Sequence, residues 1–107
     1  MVSALDVQAA TVAVLNDRFR RSGFGVTMTL GIQAMSDVSG LMDRVRDYKM
    51  FNESNDPYGE HDFGKLIWEN EKVFWKIDYY DQNLEYGEEP LALGCKRLLT
   101  VMLANEY

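Results

Sequence analysis

The sequence predicts an α+β domain in two layers: a small, mostly antiparallel three-stranded sheet covered by three amphipathic helices. The expected order is helix-strand-helix-strand-strand-helix. Three observations lead there. Apolar residues recur at helical spacing over 3–21, 36–50 and 91–105. They alternate over 24–32. Two aromatic-rich alternating runs within 63–81 flank a short polar pair, as in a hairpin. At 107 residues, 47% apolar and 26% charged, the chain suits a single domain over 1–107 with one core.

In the first helix, Ser3 is the expected N-cap, and Leu5, Ala9, Val12, Leu15 or Asn16, and Phe19 form the apolar stripe. Gly23 follows the basic end, where a C-terminal glycine belongs. Val26, Met28, Leu30 and Ile32 alternate with Thr27, Thr29 and Gly31, the pattern of a half-buried strand. In the second helix Ser36 or Asp37 caps a stripe of Val38, Leu41, Met42, Val45 and Tyr48, and Gly40 costs about 1 kcal/mol against alanine. Asp43 and Asp47 alternate with Arg44 and Arg46 on its wet side.

The loop over 52–62 contains Pro57 and Gly59, which suit a turn around Tyr58. A hairpin follows, with Asn70-Glu71 as its two-residue turn; a three-residue loop is the alternative. The two-residue register pairs Trp68 with Val73, Leu66 with Trp75 and Gly64 with Ile77. One face then holds Leu66, Trp68, Val73, Trp75, Ile77 and Tyr79. The other sets Lys65 against Lys76, which needs acids nearby, such as Glu60, Asp62 or Asp78. After a second acidic connection over 82–90, Pro90 suits a first helical turn. Leu91, Cys95, Leu98, Leu99, Met102 and Leu103 make the last stripe.

The net charge of -6 is unevenly placed. Residues 52–89 hold eleven acids and three bases, while the flanking segments each carry a net +1. Such a field repels a phosphate backbone and favours basic partners, so direct nucleic-acid binding is not expected. The Arg18, Arg20, Arg21 cluster reads as a solvated helix end rather than a nucleic-acid patch. No apolar run approaches the ~20 residues that span a bilayer, and Met1–Ala10 lacks the basic start of a signal peptide. With one cysteine and therefore no intramolecular disulfide, the expectation is a cytoplasmic protein without membrane association. Cys95 reads as a small buried hydrophobe rather than a nucleophile.

His61, the chain's one histidine, lies among Asp56, Glu60 and Asp62. Zinc wants Cys or several His ligands, and the spacing from Asp56 fails the calcium-loop pattern, so no metal or other cofactor is expected. As an enzyme, the chain would use His61 as a general base with Asp62 or Asp78 orienting it. Asp78 is the better placed, because neighbours in an extended segment point to opposite faces. No nucleophile elbow or phosphate-binding loop is present. The plainer reading is architectural: His61 and Asp62 bond loop amides, and Tyr58 and Phe63 plug the core's edge. An ordered loop of this kind also suits recognition. Tyr58, Glu60, His61, Asp62, Tyr80, Asp81, Glu85, Tyr86, Glu88 and Glu89 are the candidate binding residues. Among them Tyr80, Tyr58 and Tyr86 would form an aromatic patch amid acids.

The stretches Pro57–Gly64 (PYGEHDFG), Phe74–Asp81 (FWKIDYYD) and Arg97–Tyr107 (RLLTVMLANEY) resemble a family of short bacterial proteins of unknown function with a Gly-Glu-His-Asp-Phe-Gly motif. Leu15–Arg21 (LNDRFRR) fits the same pattern, so the resemblance runs over nearly the whole chain. It implies a bacterial origin and an encoding on plasmids or other mobile elements, and it implies no activity. Gly87–Cys95 (GEEPLALGC) departs from the Asp/Pro-rich stretch usual there, which puts that loop's shape or partner in doubt. The resulting expectation is a non-enzymatic module that binds a basic protein or a nucleic-acid-binding protein's surface. In a sharper form it is an anti-defence inhibitor acting by acidic mimicry. The alternative is a hydrolase or metal-dependent enzyme centred on His61.

Overall fold

A computed structural model describes residues 4–107. Ser3 and the side chain of Leu5 lie outside the described residues. Helix α1 runs Ala4–Ser22. Val12, Asn16 and Arg20 are buried on it at a spacing of four, which aligns them on one face. Gly23 follows with φ +79, the left-handed residue that lets a chain leave a helix.

Strand β1 is short, Val26–Met28, and the expected alternation does not continue as strand. Residues Leu30–Gln33 coil into a short helix, α2, that buries Ile32. The cause is distant in sequence. Glu106 accepts hydrogen bonds from the Thr29 hydroxyl (2.6 Å) and the Gly31 amide (2.9 Å), stabilising the turn from the far end of the chain. Helix α3, Val38–Arg46, starts at Asp37, whose carboxylate accepts from the Gly40 amide at 2.8 Å. Leu41, Met42 and Val45 are buried on it, with Tyr48 just beyond.

The sheet corrects the expected fold. Strands β2 (Phe63–Trp68), β3 (Glu71–Tyr80) and β4 (Lys96–Leu103) join β1 in a four-stranded mixed sheet of order β1-β4-β3-β2 among the described residues. The β1–β4 pair is parallel and the others antiparallel. The third helix, expected over 91–105, is therefore the central strand β4, followed by a 3₁₀ turn at Ala104–Glu106. Leu98, Leu99, Val101, Met102 and Leu103 satisfy a helical stripe, but a run of eight apolar-rich residues equally suits a strand paired on both sides. Pro90 opens no helix; the chain turns tightly at Glu89–Ala92 and Ala92–Cys95. Three α-helices occur among the described residues, the four-residue α2 replacing the expected last one.

The hairpin exists with a register two residues away from expectation. Its turn is Glu69-Asn70, with φ of 50° and 66°, the doubly left-handed geometry of a type I′ turn. Leu66 pairs with Val73, and Gly64 with Trp75. A shift of two keeps every side chain on its expected face. It also separates the two lysines: Lys65 lies opposite Phe74, and Lys76 opposite Phe63. Gly64 is required by its partner, because a Cβ there would overlap the Trp75 indole.

All three helices contribute to one core against one sheet face. Ile32, Leu41, Met42 and Val45 pack with Val73, Trp75, Ile77, Leu99 and Val101, and Phe19 of α1 joins at the edge. The opposite face holds Phe63, Phe74 and Met102, with the rings of Phe63 and Tyr107 packed on Phe74. It lies open to solvent at Lys65, Ile67 and Lys72. No described helix is long and apolar enough to cross a membrane.

Candidate functional site

The loop between α3 and β2 is built from its own polar side chains. Asn52 accepts from the amides of Ser54 (2.8 Å) and Asn55 (3.1 Å), an Asx turn. Buried Asn55 donates to Met50 O at 2.9 Å. The expected Pro57 turn is present, closed by the Gly59 amide on Asp56 O at 3.1 Å. The buried Asp56 carboxylate then accepts from the amides of Glu60 (3.0 Å) and His61 (3.2 Å). That bond fixes His61 at φ 56°, a conformation rare outside glycine. The loop meets the sheet where the Ile77 amide donates to Asp62 O at 2.8 Å.

The His61 ring is held on three sides. It stacks on Phe51 with centroids 3.9 Å apart and planes within 2°. Its Nδ1 lies 3.0 Å from both oxygens of Asp17, so Nδ1–H donates to that carboxylate. Its Nε2 is 3.8 Å from Asp56 Oδ2. The orienting carboxylate thus comes from α1. Asp62 and Asp78 do not fill that place: Asp78 binds Lys76 at 2.9 Å, and Lys76, not Asp78, lies opposite Phe63.

Asp17 also anchors Arg20, which the sequence suggested was a solvated helix end. Arg20 is instead fully buried. Its Nε donates to Val45 O (2.9 Å), Nη2 to Tyr48 O (3.1 Å) and Nη1 to Asp17 Oδ1 (3.0 Å). The guanidinium lies over Trp75 (4.9 Å) and Phe51 (5.5 Å). Arg18 and Arg21 are exposed as expected.

Asn16 organises a second network. Its Nδ2 donates to Glu60 O (2.9 Å) and to the Tyr79 hydroxyl (2.8 Å). Its Oδ1 accepts from Arg97 Nε at 2.7 Å. Arg97 donates onward to Pro90 O at 2.8 Å and to Cys95 Sγ at 3.7 Å, and it covers the Tyr79 ring at 5.3 Å. One helix therefore ties the histidine loop, the sheet and the second acidic connection together.

Between those ties lies a cleft of ≈ 720 Å³, whose walls include Val12, Pro57, Tyr58, Glu60, Glu89 and Leu91. Burial is the main cause that raises the Glu60 carboxyl above its ordinary value, with the charges of Asp62 and Asp56 adding to it. Asp62 is raised too, chiefly by burial. Tyr79 is pushed up to about 12 by burial.

The ten candidate binding residues do not form one surface. Tyr58, Glu60 and Glu89 meet in the cleft. Tyr58, 79% exposed, does not plug the core as the architectural reading expected, and Phe63 packs on the open sheet face. His61 belongs to the Asp17–Arg20 network and Asp62 to the loop's junction with β3. Tyr80 lies opposite Lys96 on the open sheet face. Asp81 shapes its own loop by accepting from the amides of Asn83 and Glu85, and Glu88 accepts from Glu89's amide. Tyr86 stands in solvent, 72% exposed, and no ring contact joins it to Tyr58 or Tyr80 among the described residues. The sequence reading missed Asp17, Arg20 and Arg97. The i, i+4 run Val12-Asn16-Arg20 was the available signal.

His61 does not line the cleft. Among the described residues, no three or more His, Cys, Asp or Glu side chains converge as metal ligands. No curated protein and no solved structure matches the chain. The model of a family described as protein of unknown function (DUF3768) matches residues 27–106. That match spans the stretches 57–64 and 74–81 and all of β4, and it leaves out α1 with Leu15–Arg21. On that coverage the chain belongs to the DUF3768 family of proteins of unknown function.

Proposed function

We propose that the chain is a non-enzymatic protein-binding module whose cleft takes a basic segment of a partner protein. The observation that carries this reading is the lining of the cleft. Two carboxylates, Glu60 and Glu89, stand over an apolar wall that includes Val12, Pro57 and Leu91, with Tyr58 at the mouth. A lysine or arginine whose aliphatic stem lies on the apolar wall and whose charge meets the acids fits that chemistry. Tyrosine adds contact area at low entropic cost. A bound cation would also offset the burial and the neighbouring Asp62 and Asp56 charges that disfavour the ionised Glu60 carboxylate.

The resemblance to bacterial proteins carried on mobile elements supports a sharper form. In it the partner is a nucleic-acid-binding protein, and the acids concentrated over 52–89 stand in for phosphates, making the module an accessory or anti-defence inhibitor. The test is capture from a bacterial lysate at low and high salt, with wild type beside Glu60→Lys/Glu89→Lys. Partners should be held at low salt, released at high salt, and not retained by the variant. Equal capture by both proteins overturns the reading.

A further inference from the structure

We infer that the chain associates with copies of itself head to tail, the acidic loop after β3 docking into a basic groove along β2 of the next copy. The groove consists of two adjoining clefts of ≈ 380 Å³ and ≈ 420 Å³ that share Lys65, Leu66 and Ile67. Their walls carry Arg44, Lys49, Lys65 and Lys72 against one acid, Asp47, in a chain whose net charge is -6. Two of its apolar residues are bare, Met50 at 73% exposure and Ile67 at 60%. An occupant must therefore bring carboxylates and apolar side chains together.

The chain carries such a segment. Leu84–Glu88 presents Leu84 at 53% exposure and Tyr86 at 72%, with Glu85 and Glu88 beside them and no base. Leu84 is held at φ 59°, and the loop is fixed at both ends, by the Asp81 carboxylate on the Glu85 amide (3.0 Å) and by the Glu88 amide on Tyr79 O (3.2 Å). It is a shaped projection that has little ordering entropy left to lose on docking. It cannot fold back onto its own groove. Lys65 lies opposite Phe74, and the loop begins beyond Tyr80, six residues along β3 or about 20 Å away.

The docking is by side chains and does not extend the sheet. The Tyr48 hydroxyl accepts from the Lys65 amide (3.2 Å) and donates to Lys65 O (3.1 Å), closing the exposed edge of β2 at its middle. In this association the contact is heterologous, each copy offering its loop to one neighbour and its groove to another.

Two exposed double variants test this by sedimentation over a concentration series, with circular dichroism confirming the fold. Lys65→Glu/Lys72→Glu removes the groove, and Glu85→Lys/Glu88→Lys removes the loop. Wild type should associate, with an affinity that weakens on the order of tenfold at high salt. Each variant alone should be monomeric. Their equimolar mixture should associate again, because one retains an intact loop and the other an intact groove, and the reversed loop and reversed groove are themselves opposite in charge. A monomeric wild type overturns the proposal, even if an acidic peptide or an oligonucleotide then binds the groove. So does a mixture that stays monomeric. Neither variant replaces Tyr58, Glu60 or Glu89, and the Lys65/Lys72 variant lies away from the cleft altogether, so its outcome is independent of the cleft reading.

Discussion

Replacing Arg20 with methionine should cost about 3 kcal/mol, within a range of about 2–5. Methionine fills similar space with no donors. Val45 O and Tyr48 O, at the end of α3, then lose the N–H groups now 2.9 Å and 3.1 Å away. Tyr48 O is left unsatisfied, at about 1–3 kcal/mol, while Val45 O still accepts from the Tyr48 amide (3.3 Å) and loses only a bond to a charged donor, worth about 1.5–3, so the gross loss is about 2.5–6. The favourable charge at the helix C-terminus goes as well. Against this, the buried guanidinium no longer pays for its own desolvation, the effect that lowers its pKa. Asp17 keeps His61 at 3.0 Å and so is not stranded. For a domain stable by about 5–15 kcal/mol, the urea midpoint should fall by about 1–2 M. Tryptophan fluorescence reports it directly, since the guanidinium lies over Trp75. Arg21→Met, an exposed neighbour, is the control and should change stability by under about 0.5 kcal/mol. An Arg20→Met loss below about 1 kcal/mol would mean that the α1–α3 joint is held by packing alone.

Gly64→Ala should destabilise by about 1–3 kcal/mol in urea melts, because the added methyl has no room against Trp75; a change under about 0.5 kcal/mol contradicts the pairing. Burial raises the folded pKa of Glu60, so its contribution is most favourable below the unfolded carboxyl range and declines as pH rises through the folded value. Glu60→Gln should therefore be as stable as wild type or more so at neutral pH, the difference closing in acid; a variant less stable at neutral pH reverses that sign. Alkaline titration followed by tyrosinate absorbance should show one group ionising near about 12, missing in Tyr79→Phe. The same sign applies there, with stability falling as pH climbs from the ordinary tyrosine range toward that value.

Features that depend on local period were legible in the sequence. The α3 face, the Asp37 cap, the Pro57 turn and the face assignment of the hairpin follow from spacing and turn chemistry, and on α1 the stripe through Val12 and Asn16 does too, but buried Arg20 does not. The hairpin turn was misplaced because Asn70 suits either of two adjacent pairs. What decides is Glu69, whose carboxylate accepts from the Ser36 and Asp37 amides at 3.1 Å each, a contact between distant segments. The early end of β1 has the same kind of cause in Glu106. Strand β4 was misread because Leu98, Leu99, Val101, Met102 and Leu103 fit a period of 3.6 as readily as a paired strand, and Thr100 alone does not separate the two.

The site illustrates how much more tertiary context decides than neighbouring residues do. Reading outward from His61 along the chain offers Glu60, Asp62 and Asp56, and only Asp56 touches it, mainly through backbone amides. Its side-chain partner, Asp17, is 44 residues away. Asp17 could be chosen only by knowing that α1 crosses the loop, and that crossing is fixed by Asn16 and Arg20, polar residues placed where a stripe should be apolar. A buried asparagine or arginine is costly unless each donor is matched. Their presence on the inner face of a helix is thus a statement about what that helix must touch. Here it touches the carbonyls of Val45, Tyr48 and Glu60, which stitch α1 to α3 and to the histidine loop. The cleft exists because Arg97, held by Asn16, also draws in Pro90 from the far wall. The acidic surface proposed for binding is therefore as rigid as that buried polar seam, and substitutions at Asn16 or Arg97 should loosen the cleft without removing one of its carboxylates.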